Sequence, residues 1–188
     1  MFKKTGTCFD LTEQVADGLV DVRKLSEGLF LVQSEMAFKK ETELCEEYPE
    51  RKIFQLSFCL NGICEWNYRE GRGECYQLSP TQCSLQCGTF SQCMSCFDAK
   101  NPYHTLSISL EQERFTPLIE DLEAMHLVRQ NNKICTHVFS TTPEIRLVLQ
   151  QLLDCPPERK LRRLYLEGKV LELLSLFCDE VVGTQKNN

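Results

Sequence analysis

The sequence predicts an α+β protein in which a β-sandwich or barrel is followed by three helices, and two observations carry this. Up to about residue 110, apolar residues recur in short alternating runs separated by turn residues; beyond it they recur every three or four positions over long stretches. At 188 residues, with 42% hydrophobic and 26% charged residues, the chain can bury one core plus a helical appendage and lies far from disordered composition. The expected organisation is a β-rich domain over 1–110 and a helical region over 111–188.

Taken in order, the first apolar run is Leu29-Phe30-Leu31-Val32. Residues 53–68 read as a hairpin, because the alternation Phe54, Leu56, Phe58, Leu60 stops at Asn61-Gly62, a pair suited to a two-residue type I′ turn. That turn would set Cys59 opposite Cys64 across the ladder, a conceivable redox pair or simply two reduced neighbours. Segments 74–78 and 84–97, the latter interrupted at Gly88, continue the strands. In the last one, 105–110, Leu106, Ile108 and Leu110 alternate with Ser107 and Ser109, as in a half-buried strand.

The helical part begins with 111–129, where Phe115, Leu118, Ile119, Leu122 and Met125 share a face. Thr141-Thr142-Pro143-Glu144 opens the second helix with hydroxyl caps, a first-turn proline and an early carboxylate, and Cys155-Pro156-Pro157 ends it. The third should span 158–182 and carries two stripes. One is Leu164, Gly168, Leu171, Ser175; the other is Leu166, Val170, Leu173, Leu174, Phe177. Together they exceed what one core contact needs, so the first stripe is expected to meet a second copy in a homodimer.

A formal net charge of −6 argues against a standalone nucleic-acid binder, and the basic run Arg159-Lys160-Leu161-Arg162-Arg163 reads as a solvated helix side. The first residues lack a signal-peptide apolar stretch and no run suits a bilayer span, so no membrane partner and a cytoplasmic location are expected. Twelve cysteines are many, but without an export signal reduced thiols are the expectation. The cluster Cys83, Cys87, Cys93, Cys96 places four thiols within fourteen residues and supplies an alternative reading, a metal- or redox-responsive site. Against it, Cys83, Leu85 and Cys87 would simply share one face of a strand.

The segment Phe139-Ser140-Thr141-Thr142-Pro143-Glu144, then Leu149-Gln150-Gln151-Leu152-Leu153, then the run RRLYLEGKVLELL over 162–174, resembles the helical part of AraC-type transcription regulators of the siderophore-responsive, pyochelin-regulator-like branch. The β-rich half is similar more loosely. The resemblance implies a small-molecule-binding barrel of cupin-like or jelly-roll type, followed by helices that dimerise and connect to helix-turn-helix units. No residue among the 188 matches such a unit, so DNA binding is carried over to none of them.

No catalytic residue is assigned. The three histidines, His104, His126 and His137, lack the close pairing a cupin metal site uses, and no cysteine or serine has a nucleophile's flanking signature. No cofactor is expected. Residues that interrupt a β-face, Glu65, Trp66, Tyr103 and His104, are the candidates for contact with a small-molecule effector whose identity the sequence does not give.

Overall fold

In the computed structural model of the chain, residues 3–5, 8–10, 15–69, 74–124 and 134–185 are described. The strands are β1 (Lys3–Thr5), β2 (Cys8–Asp10), β3 (Ala16–Ser26), β4 (Leu29–Phe38), β5 (Thr42–Asn61), β6 (Cys64–Tyr68), β7 (Cys75–Leu78), β8 (Gln82–Phe97), β9 (Tyr103–Leu110) and β10 (Cys135–Ser140). The helices are α1 (Gln112–Ala124), α2 (Pro143–Leu153) and α3 (Arg162–Gln185). The strands join in the order β1-β2-β3-β4-β9-β5-β8-β6-β7, with β10 beside β8. The described pairings are antiparallel. The fold is therefore a cupin-like antiparallel β-sandwich with three helices, as the sequence predicts.

The chain separates into two compact units, Met1–Lys24 with Gly28–Ser140, and Leu25–Glu27 with Thr141–Asn188. The division falls at 140 rather than at the change of period near 110, because α1 and β10 return to the first unit, β10 pairing with β8 from Cys135↔Cys87 to Ser140↔Gln82. Neither β10 nor β1 to β3 was expected from the pattern. Met125 and His126 lie outside the described residues.

The hairpin over 53–68 does not form. β5 pairs with β8 and β9, whereas β6 pairs with β7 and β8. Asn61-Gly62 carries the chain from one layer to the other, with Asn61 Nδ2 donating to the Pro102 carbonyl at 3.0 Å and Gly62 at φ +76°. Cys59 accordingly stands opposite Thr105, and Cys64 opposite Phe97 and Leu78, so the two thiols are not ladder partners. Nor does Gly88 break its strand; it pairs with Ile53 within β8.

Several strands are buried on both faces. On one face Leu31, Leu56, Phe58, Leu85, Leu106 and Ile108 are side-by-side neighbours, each at most 2% exposed. On the other, Met36, Phe38, Cys64, Trp66, Tyr68, Phe90 and Phe97 belong to a second cluster. In the second unit, α2 opens as its sequence dictates, the Thr142 hydroxyl accepting from the Ile145 N–H at 3.3 Å and Pro143 in the first turn. Ile145, Val148, Leu149 and Leu152 are buried on α2, as are Leu166, Val170, Leu173, Leu174 and Phe177 on α3, and these two helices contact each other. α3 begins at Arg162, four residues later than expected, because 156–161 turn and Leu161 takes a left-handed φ of 56°. Arg159 ahead of it stacks its guanidinium 3.8 Å from the centre of the Tyr165 ring.

Candidate functional site

The alternation along each strand decides what faces the interior of the first unit. β9 sends Tyr103, Thr105 and Ser107 to one side; β5 sends Ile53, Gln55 and Ser57; β6 sends Cys64, Trp66 and Tyr68. With Val32 and Ser34 from β4, Leu78 from β7, and Gln86, Phe90 and Phe97 from β8, they enclose a cavity of about 300 Å³. It lies at the small end of ligand-binding sites, which run from roughly 300 to 1,000 Å³.

The wall from β4, β5 and β9 is hydroxyl- and amide-rich. Ser57 and Ser107 share a hydrogen bond of 2.9 Å, Gln55 Nε2 donates to Ser57 Oγ at 3.0 Å, and Ser57, Ser107 and Thr105 are all buried. The wall from β6 and β8 is aromatic. Tyr68 and Phe90 are tilted with centroids 5.2 Å apart, and Phe97 meets Tyr103 edge-on at 5.0 Å.

At the Tyr68 end the polar bookkeeping is incomplete. The Tyr68 hydroxyl donates to Gln86 Oε1 at 2.9 Å. Burial dominates the Tyr68 ionisation and raises its pKa, while Trp66 and Thr136 act nearby in the opposite direction. Yet Trp66 Nε1 and Thr136 Oγ1 both lack a partner with hydrogen-bonding geometry. Trp66 is only 5% exposed, so its donor is out of reach of bulk solvent. A buried N–H left unmet costs about 1–3 kcal/mol.

Two thiols line the same space and are held protonated. Burial pushes Cys64 up to about 12, offset in part by the Tyr103 hydroxyl, and pushes Cys93 up to about 11. Cys59 is likewise raised, to about 11, by burial. Since the thiolate is the nucleophile and the metal ligand, these groups are poorly suited to either role.

Of the sequence candidates, Trp66 and Tyr103 line the cavity. Glu65 and His104 alternate to the opposite faces of their strands: Glu65 is exposed and accepts from Gln77 Nε2 at 2.8 Å, and the His104 ring lies 3.4 Å from Gln33 Nε2. The four thiols of the metal alternative do not come together. All lie along β8, with Cys83 and Cys87 on the face turned from the cavity, Cys93 on the cavity face and Cys96 opposite Glu65 and Glu43. From Cys83 to Cys96 an extended strand spans roughly 40 Å, and the described residues contain no group of three or more metal-ligating side chains. The described cysteines are free thiols. The hydroxyl and amide residues, from Ser34 to Ser107, were missed. Their signal was present as period-two polar positions but read as a solvent face.

On α3, Leu164 is 65% and Leu171 45% exposed, with Gly168 and Ser175 exposed between and beyond them. A Cβ added to Gly168 would meet nothing within 4 Å. Among the described residues no helix is long and apolar enough to cross a membrane.

Comparison with known proteins agrees with this fold. ToxT from Vibrio cholerae, in its apo K231A form, superposes with a TM-score of 0.58 at 10% identity over 86% of this chain and 58% of that one. A second ToxT structure gives 0.51 at 12% identity, over 84% and 57% respectively. The AraC-like transcriptional activator CuxR gives 0.47 at 8% identity, over 85% and 56%. The chain thus spans a little under three-fifths of each of these proteins. No curated protein matches by sequence. Residues 17–188 match the family described as the regulatory protein PchR N-terminal domain, and the chain belongs to that family, the N-terminal region of AraC-type regulators.

Proposed function

We propose that this chain is the effector-sensing and pairing domain of a transcription regulator, binding a small molecule in the cavity of its β-unit and a second copy of itself through α3. The observation that carries the reading is the enclosed cavity, polar on one wall and aromatic on the other, with the buried Trp66 N–H unsatisfied at one end. Binding rather than catalysis is favoured because the cavity thiols are held protonated. DNA is contacted by a helix-turn-helix region that these residues do not supply, in the cytoplasm. The effector acts by preferring one of two arrangements of the domain, since only differential affinity can shift such an equilibrium.

Pairing is supported by the spacing 164, 168, 171, 175, the four-three-four repeat of a helix seam. An exposed mid-helix glycine costs about 1 kcal/mol relative to alanine, which is accounted for if a partner helix approaches closely at Gly168.

The cavity reading is tested by thermal denaturation of the wild type and Ser95→Phe with a library of neutral, acidic and basic ring compounds. Ser95 lines the cavity on β8, and a phenyl group there occupies it. A ligand at a hundred times its Kd stabilises by about 2.7 kcal/mol, a shift on the order of 5–10 °C for a chain of this size. Shifts of this kind are expected in the wild type and lost in the variant; shifts equal in both proteins, or none in either, overturn the reading.

A further inference from the structure

We propose that the cavity selects an uncharged, planar ring compound carrying a hydrogen-bond acceptor that the Trp66 indole N–H takes. This rests on the effector-binding reading and specifies its ligand class.

Shape comes first. The space lies between the aromatic side chains of β6 and β8 and the hydroxyl-bearing wall of β5 and β9. Filled to the density of a protein interior, about three-quarters of its 300 Å³ is taken up by atoms, room for one or two fused rings. A flat molecule turns one surface to Phe90 and Phe97 and its edge to the polar wall.

Charge comes next. Among the described lining residues there is no Lys or Arg, and the carboxylate is that of the exposed Glu46. An anion would enter without a counter-charge and past a like charge, and burying an unpaired carboxylate is strongly unfavourable. Ser57, Thr105, Ser107, Gln55 and Gln86 offer neutral partners already engaged with one another or able to adjust to an ether, ketone or ring nitrogen.

The acceptor requirement follows from Trp66. An indole nitrogen can only donate. Trp66 stacks against Tyr76 at 5.8 Å, and its Nε1 remains unpartnered while the neighbouring Tyr68 hydroxyl is committed to Gln86. A ligand acceptor placed at that end converts an unmet buried donor into a hydrogen bond, and a ligand without one leaves the deficit in place.

The chain contains one tryptophan, so its 15N-labelled protein has one indole N–H resonance, which reports on this atom. Three probes share one ring frame: 1-indanone is neutral with a carbonyl acceptor, indane lacks the acceptor, and indane-1-carboxylate carries a charge. The expected result is a saturable downfield shift with 1-indanone, binding about tenfold weaker by indane without a downfield shift, and no binding by the carboxylate. Trp66→Phe keeps an aromatic ring and removes the donor; it should weaken 1-indanone about tenfold and leave indane unchanged. Carboxylate binding equal to or tighter than that of the ketone overturns the ligand class but leaves the cavity reading in place. An indole resonance that none of the three moves overturns it too, and the cavity reading is then judged separately by the loss of stabilisation in Ser95→Phe.

Discussion

Replacing Gly62 with valine is expected to destabilise the β-unit by roughly 3 kcal/mol or more. Gly62 sits at φ +76°, a conformation that a β-branched residue adopts only under strain. Its position adds a second penalty: a Cβ would stand 2.7 Å from the Pro102 carbonyl oxygen and 3.0 Å from the Tyr103 Cα, both backbone atoms that cannot rotate away. The chain there leaves β5 for β6 and is pinned by Asn61 to Pro102, so relief requires moving the start of β9. Tyr103 would move with it, and Tyr103 lines the cavity and meets Phe97. A melting temperature lowered by on the order of 10 °C, together with weakened ligand stabilisation, is the expected outcome by circular dichroism. An unchanged melting temperature would mean that the crossover at Gly62 is not tightly packed in solution.

The second large effect is expected on α3. Leu164→Asp combined with Leu171→Asp places two carboxylates per chain on the proposed seam, where a two-fold interface doubles each change. Each leucine buried against a partner contributes about 1.5–3 kcal/mol, so the pair should weaken association more than a hundredfold and leave a monomer by analytical ultracentrifugation. Because both side chains are already exposed in the single chain, the fold of the unit should survive, with an unchanged circular dichroism spectrum. The contrasting substitution is Val170→Asp on the inner stripe, fully buried, which should unfold α2 and α3 instead. A double variant that remains dimeric would place the contact between copies elsewhere.

The helices were largely legible because their signals are local. The Thr142 cap, Pro143 in the first turn and the three- and four-residue spacing of Ile145, Val148, Leu149 and Leu152 need no knowledge of the rest of the chain. Strand pairing is not local, and Asn61-Gly62 shows why. The left-handed conformation that the dipeptide favours was correctly read, but whether it closes a hairpin or a crossover depends on what lies opposite, here Pro102 and Tyr103.

The site was harder still. Period-two alternation along β9 and β5 identifies two faces, and the apolar one was assigned to the interior. Leu106 and Ile108 are indeed buried, but on the face away from the cavity, while Thr105 and Ser107 line it. Alternation distinguishes the two sides of a strand; it does not say which side the sheet curls around. Trp66 and Tyr103 stood out because large aromatic groups beside polar ones are visible in sequence. Ser34, Gln55 and Ser57 look like any solvated β-surface until the curvature is known. The cysteines misled in the opposite sense, since thirteen positions look close in sequence yet run the length of one extended strand.

The most direct measurement of the whole account is native mass spectrometry of the anaerobically purified chain with a compound that stabilises it, in wild-type and Ser95→Phe form. The account predicts a dimer carrying up to one small molecule per chain and no metal, with the ligand lost and the dimer kept in the variant. A monomer, a stoichiometric metal ion, or ligand occupancy unchanged by Ser95→Phe would contradict it.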